Sequence, residues 1–133
     1  QHRHMPEIDQ ELSKSSKKKI KISFTPHLIP TFRGILSTIY LDLPKGIKIK
    51  KVKDCLLNFY KKEKFVNVVN SKEMINTNRV LNTNNCNIAV YQTRFDSQII
   101  IASSLDNLIK GAAGQAVQNF NIRFGFKETL SLV

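Results

Sequence analysis

The sequence is short of several features that define protein classes. It has two cysteines, Cys55 and Cys86, in 133 residues. That is too few for a disulfide scaffold and lacks metal-ligand spacing, so free thiols in a reducing compartment are expected. No apolar run approaches the length of a membrane span, and no secretory signal stands at the start. There is no internal repeat, no low-complexity linker, and no glycine-rich turn of the kind that cradles a dinucleotide in a Rossmann domain. Acidic side chains are scarce as well: 10 Asp and Glu against 21 Lys and Arg leave a net charge of +11. Such a charge suits anionic partners, either nucleic acid or phosphorylated small molecules, or else a solvated surface. Nucleic-acid modules interleave exposed aromatics with basic residues. Here most aromatics fall at apolar-periodic positions, so neither nucleic acid nor membrane is expected as a partner.

What is present suffices for one globular domain over 1–133, with 41% apolar residues. The first residues, Gln1-His2, include no initiator Met, which fits a fragment of a longer protein. Pro6, Glu7 and Asp9 favour a helix start, and Ile8 and Leu12 lie one turn apart, giving a helix over about 6–14. Ile20, Ile22 and Phe24 alternate with Lys21 and Ser23 as in a half-buried strand. A longer strand is expected from Ile35 to about Leu43, a turn at Pro44-Lys45-Gly46, and a brief strand over Ile47–Lys50. Val52, Cys55, Leu56, Phe59 and Tyr60 give an amphipathic helix over about 51–63, with Cys55 on its inward stripe. Phe65–Val69 reads as a strand, 70–85 with its six Asn as loop, and Ile88 to Ile101 as a hairpin. The class this implies is α+β, with a mixed, mostly antiparallel sheet and helices on one face.

The closing helix, about 106–123, is the most unusual segment. Leu108, Ile109, Ala112, Ala113, Ala116, Val117 and Phe120 recur at helical spacing, yet Gly111 and Gly114 cost such a helix roughly 1 kcal/mol each. Glycines kept at that cost point to close approach by another body: a helix, a backbone or a flat ligand. Gly125 stands where a C-cap is expected.

Three blocks carry a resemblance to a known family. They are His2-Arg3-His4-Met5-Pro6-Glu7-Ile8, Phe24-Thr25-Pro26-His27-Leu28-Ile29-Pro30 with Arg33-Gly34-Ile35-Leu36, and Asp106 through Thr129. In that order they resemble N-acetyl-gamma-glutamyl-phosphate reductase, and the likeness runs over essentially the whole chain. Aspartate-semialdehyde dehydrogenases resemble it only in Asp-Asn-Leu and Gly-Ala-Ala. The resemblance implies a C-terminal catalytic and dimerisation domain like that of glyceraldehyde-3-phosphate dehydrogenase-type enzymes, lacking its Rossmann partner domain and inactive alone. It implies NADP as cofactor, an acyl phosphate substrate, a homodimer or homotetramer, and a cytoplasmic setting.

By the same resemblance His4, ahead of His2, is the catalytic histidine. The implied chemistry is attack of a cysteine thiolate on an acyl phosphate, loss of phosphate, and hydride reduction of the thioester. A histidine there can ionise the thiol and protonate the forming oxygen. His2 and His4 with no acidic or Cys partner in register make a weak metal site, so no metal is expected. His27 and Arg33 are assigned to substrate, Arg33 for its fork that matches carboxylate and phosphate; a turn histidine and a surface arginine are the plainer alternatives. Asn107, Lys110 and Gly111 fall to the cofactor. An N-cap is the other reading of Asn107, and projection to solvent that of Lys110. Neither Cys55 nor Cys86 resembles the family's nucleophile. An aspartate-semialdehyde dehydrogenase-like enzyme and a non-catalytic basic binding module remain as alternatives.

Overall fold

A computed structural model describes residues 2–132. They form two compact units, one ending at Thr31 and the other beginning at Phe32. The first is built on helix α1, His4–Ser16, which carries Glu7 in its first turn and Lys14 in its last, both favourable to the helix dipole. It stops at Lys17, whose φ of 54° is left-handed and whose N–H returns to the Lys14 carbonyl. The strand expected over Ile20–Phe24 does not form. The side chains do alternate, with Ile20, Ile22 and Phe24 half-buried, but the backbone pairs with helix side chains instead of a strand. The Ile20 N–H donates to Ser13 Oγ at 2.9 Å and the Ile22 N–H to Asp9 Oδ1 at 2.9 Å. Those two polar helix side chains supply the acceptors that a neighbouring strand would otherwise offer.

The second unit is a four-stranded sheet in the order β1-β4-β3-β2. β1 is Ile35–Asp42, β2 Val66–Val68, β3 Cys86–Gln92 and β4 Gln98–Leu105. β4 runs antiparallel to both β1 and β3, while β2 runs parallel to β3. The sheet is therefore mixed and mostly antiparallel, as the α+β reading requires. Its core is Phe65, Val80, Ala89, Val90, Ile99 and Ala102.

Helix α2, Ile49–Tyr60, packs against β2 and β3. Ile47–Lys50 is not a strand. The Ile47 N–H closes a turn onto the Pro44 carbonyl at 3.0 Å, and the helix begins two residues later. The inward stripe of α2 is Ile49, Val52, Leu56 and Tyr60, all half-buried. Cys55 lies outside that stripe and is exposed, so its expected burial is corrected: the helix rolls toward the sheet by the positions one turn from Ile49, not by the arc that includes Cys55.

The closing helix comes in two pieces. Ile109–Ala113 is a π-helical turn, with the Gly111 N–H on the Asp106 carbonyl at 3.0 Å and the Ala113 N–H on the Leu108 carbonyl at 3.2 Å. α3, Gly114–Arg123, continues it, and Gly125 follows with φ 75°. Its amphipathicity is inverted relative to the sequence expectation. Gly114, Gln118 and Asn121 are buried, while Ala112, Ala113, Ala116, Val117 and Phe120 are exposed. The buried amides are hydrogen-bonded. Gln118 accepts from Asn84 Nδ2 at 2.9 Å and donates to Glu128 Oε1 at 2.7 Å, and Asn121 Nδ2 donates to the Leu130 carbonyl at 2.9 Å. Satisfied in this way, polar side chains can occupy the inner face. Outside, Phe120 gathers Phe124 and Phe126 at 4.6 and 5.9 Å between ring centroids. Among the described residues no helix is long and apolar enough to cross a membrane.

The two helix glycines have different causes. A Cβ on Gly114 would sit 2.4 Å from Asn84 Oδ1 and 2.6 Å from Ile109 Cγ2, whereas on Gly111 the nearest atom is 3.5 Å away. In urea denaturation of this chain, Gly114→Ala is expected to cost about 1–3 kcal/mol through overpacking. Gly111→Ala is expected to be neutral or to stabilise by up to about 1 kcal/mol. Equal losses at both positions would refute the assignment.

Candidate functional site

The β1–β4 ladder ends at the pair Ile35 and Leu105. Antiparallel pairing therefore sets the residues just before β1, Arg33 and Gly34, beside those just after β4, Asp106 and Asn107. Asp106 is fully buried, at 0% exposure, and is the centre of this corner. Its Oδ2 lies 2.8 Å from Arg33 Nη2 and accepts the Asn82 N–H at 2.8 Å. Its Oδ1 accepts the N–H groups of Leu108 and Ile109 at 3.0 and 3.3 Å. Burial by itself would raise this carboxyl. The amides of Asn82 and Leu108, then Arg33 and the Ile109 amide, outweigh burial and hold it below the usual carboxylate range.

Arg33 is thus not a plain surface arginine. Its side chain is 17% exposed, and Nη2 also donates to Asn82 Oδ1. Nε is buried without a partner, and Phe32 packs on the guanidinium at 5.5 Å. Asn107 is not an N-cap. Its Oδ1 instead accepts the Gly34 N–H at 2.7 Å, and the capping bonds to Leu108 and Ile109 come from Asp106, one residue earlier. Gly34 is itself compelled: φ is 113°, and a Cβ would meet Thr77 at 2.7 Å. Gly111 joins the same corner through its bond to the Asp106 carbonyl at 3.0 Å. A Cβ there would rest in ordinary contact with Leu105 and Asn107.

Lys110 is half-buried and turned inward. Its ammonium donates to Gln118 Oε1 at 2.8 Å and lies 5.6 Å from the centre of the Phe65 ring. Burial lowers its pKa, against the opposing pull of Cys86, Glu128 and Glu63. Burial raises the Cys86 thiol, with Lys110 working the other way, so at neutral pH this sulfur is a thiol and a poor nucleophile.

The histidines belong to the first unit. His4 opens α1, and its N–H donates to His2 Nδ1 at 3.3 Å. The two rings meet edge-on at 4.8 Å, and His2 packs on Phe24 at 5.3 Å. Both are exposed, as is His27, which makes no hydrogen bond among the described residues. The structure brings together Arg33, Asn107 and Gly111 and, separately, His2 and His4. Among the described residues no group of three His, Cys, Asp or Glu side chains could hold a metal ion.

Two residues of the corner escape sequence reasoning. Asp106 had a signal, since an Asp between a strand and a helix is a preferred cap, but the neighbouring Asn107 drew the assignment. Asn82 had none; it is one of six Asn in a loop, and only the fold places it against Arg33.

Comparison with known proteins decides the family. The family described as "Semialdehyde dehydrogenase, dimerisation domain" matches residues 1–107. The chain belongs to this semialdehyde dehydrogenase dimerisation-domain family. Within it, the chain is 46% identical over 132 residues to N-acetyl-gamma-glutamyl-phosphate reductase of Clostridium botulinum, covering 99% of this chain and 38% of that protein. It is 47% identical to the reductase of Brachyspira hyodysenteriae (96% of this chain, 37% of that one). It is also 42% identical to the probable chloroplastic reductase of Arabidopsis thaliana (99% and 33%). The chain therefore spans little more than a third of the length of these relatives. In three dimensions it resembles aspartate semialdehyde dehydrogenase II of Vibrio cholerae with a TM-score of 0.67 at 19% identity, over 91% of this chain and 37% of that one. That likeness shows a shared fold. The family match ends at Asn107, within the corner that Asp106 organises.

Because the Asp106 carboxyl is held below its ordinary value, its contribution to stability is present above the unfolded carboxylate pKa and is lost as pH falls through the folded one. Asp106→Asn, which strands Arg33 beside a neutral amide, is expected to cost about 3 kcal/mol at pH 7. It should also flatten the acid limb of the stability–pH curve. Parallel acid limbs for the two proteins would refute this role.

Proposed function

We propose that this chain is the C-terminal catalytic and dimerisation part of an NADP-dependent N-acetyl-gamma-glutamyl-phosphate reductase, which makes N-acetylglutamate semialdehyde for arginine biosynthesis. The observation that carries the reading is the 46% identity to such a reductase along 132 residues without a break into another family. The aspartate-semialdehyde alternative rests on a fold likeness at 19% identity, which speaks to architecture alone. The basic-module alternative has no comparable support. A further, nucleotide-binding domain is part of the proposal, and its place is suggested by the end of α3 and the residues after it, where exposed Phe120, Phe124 and Phe126 form a face that water alone would leave costly.

In the proposed reaction a thiolate from outside this chain displaces phosphate from the acyl carbon. The resulting thioester then accepts hydride and collapses to aldehyde, returning the thiol. Cys55 on the surface and Cys86 as a half-buried thiol fit neither the thiolate nor its environment. His4 is the proposed acid and base, held at the first turn of α1 with His2 against it. Arg33, and His27 with it, take the anionic groups of the substrate. The corner fits a nicotinamide in part: Gly111 is exposed, and Asn107 keeps its amide N–H groups while its carbonyl is engaged by Gly34. When bound, the dinucleotide supplies hydride. Lys110, turned inward onto Gln118, would act on the turn rather than on a phosphate. Both cysteines are unpaired, which suits a reducing cytoplasm.

Self-association is proposed through the sheet. β1 is an edge strand whose Leu36, Ile39, Tyr40 and Leu41 are all exposed, at 51%, 45%, 64% and 40%, and an uncovered apolar edge invites a second copy. Light scattering should therefore find this chain dimeric or larger, and Leu36→Asp with Tyr40→Asp should shift it toward monomer; a monomeric parent chain would refute the interface. In the complete reductase, His4→Asn should lower kcat by about a hundredfold or more, while His2→Asn stays within a few-fold of the parent. The opposite ranking would transfer the role to His2.

A further inference from the structure

The Arg33 corner holds more structure than a stability clasp needs. A buried ion pair is a poor stabiliser, because desolvation of the two charges offsets much of their attraction. Even so, this corner surrounds its pair with conformationally demanding residues. Asn82 sits at a left-handed φ of 60°, and Gly34 at φ 113° has no room for a Cβ. Strained backbone of this kind persists where the surroundings over-determine it, and it concentrates at functional sites. Asn82 bears directly on the Arg33 guanidinium, and Gly34 is the neighbour of Arg33 in the chain. Nη2 is engaged twice, by Asp106 Oδ2 at 2.8 Å and by Asn82 Oδ1. Nε is buried with no acceptor, and Nη1 makes no hydrogen bond among the described residues. A fork arginine with one nitrogen tied down on two acceptors and others unfilled is fixed in orientation and still able to donate.

We propose that Asp106 and Asn82 are positioning residues for substrate recognition. By holding Nη2 they fix the Arg33 guanidinium so that Nη1, the donor that is neither engaged nor buried, meets the anionic group of an acyl phosphate substrate. The inference rests on the proposed reading of Arg33 as a substrate contact and adds two residues that act only through it. Asp106 does double service, because its other oxygen caps the π-helical turn next to Asn107. Loss of the carboxylate should therefore disturb substrate first and the cofactor side less, since the Asn107 bond to the Gly34 N–H survives.

The test is steady-state kinetics on the complete reductase with acyl phosphate substrate and NADPH varied separately. Melting temperatures are recorded alongside. Arg33→Gln is expected to raise the KM for the acyl phosphate by about tenfold or more, the scale of one charged hydrogen bond, with kcat and the KM for NADPH within about threefold. Asn82→Gly, which keeps the left-handed backbone and removes only the acceptor, should raise the same KM by a few-fold. Asp106→Asn should raise it nearly as much as Arg33→Gln, Asp106→Glu should restore part of the loss, and the Arg33→Gln, Asp106→Asn double variant should be no worse than Arg33→Gln alone. If Arg33→Gln raises the KM while folded Asp106→Asn and Asn82→Gly do not, the positioning role is overturned and the substrate contact stands. If Arg33→Gln leaves that KM unchanged, the substrate reading itself falls and the inference with it. If Asp106→Asn does not fold, Asn82→Gly decides the matter by the same criterion.

Discussion

The carboxylate of Asp106 is the constraint on which the second unit turns. It is buried without exposure, and a charge there is tolerable only because every side of it is met: Arg33 from before β1, Asn82 from the long loop, and Leu108 and Ile109 from the first turn beyond β4. Those partners come from three separate stretches of chain. One side chain thereby fixes where β1 begins, how the Asn-rich loop returns, and the direction in which the last helix leaves the sheet. The π-helical turn follows from the same point, since the Asp106 carbonyl accepts from Gly111 while its carboxylate caps the residues between.

The surfaces of the chain divide its proposed duties. The family match stops at Asn107, and the exposed apolar strand β1 lies inside it while the phenylalanine cluster of α3 and the following residues lies outside it. One apolar surface belongs to the module named for dimerisation and the other to the segment beyond. The relatives are more than two and a half times as long as the matched part. The inner side of α3 is polar for a related reason: Gln118 and Asn121 pin the 128–130 segment by hydrogen bonds and leave the apolar arc free to face outward.

Much of the fold was legible because period and local chemistry agree. The apolar runs of β3 and β4, the turn signals at Pro44-Lys45-Gly46, and the four-residue spacing of Val52, Leu56 and Tyr60 all report local geometry that tertiary structure did not overrule. Failures arose where a distant or neighbouring element supplied the hydrogen bonds. Ile20–Phe24 has the alternation of a strand, but Ser13 and Asp9 take its amides. The stripe of small and apolar residues in the closing helix was visible, but a periodic pattern states only that two faces differ; which one faces inward depended on Asn84 and Glu128. The site was legible in its residue types and not in its wiring. Arg33, Asn107 and Gly111 do converge, while Asp106, the residue that joins them, sat unassigned beside Asn107, and Asn82 was indistinguishable among its loop neighbours.

The strand order has a consequence for how the chain is made. β1 pairs only with β4, and α2, β2 and β3 all lie between them in sequence. On the ribosome β1 must therefore emerge and wait, its apolar side chains open on both faces, until the last strand and then Asp106 are synthesised. Long-range pairing of this kind is slow and leaves an adhesive edge on the nascent chain. Like charge from the surplus of lysine opposes contact between unfinished copies during that interval.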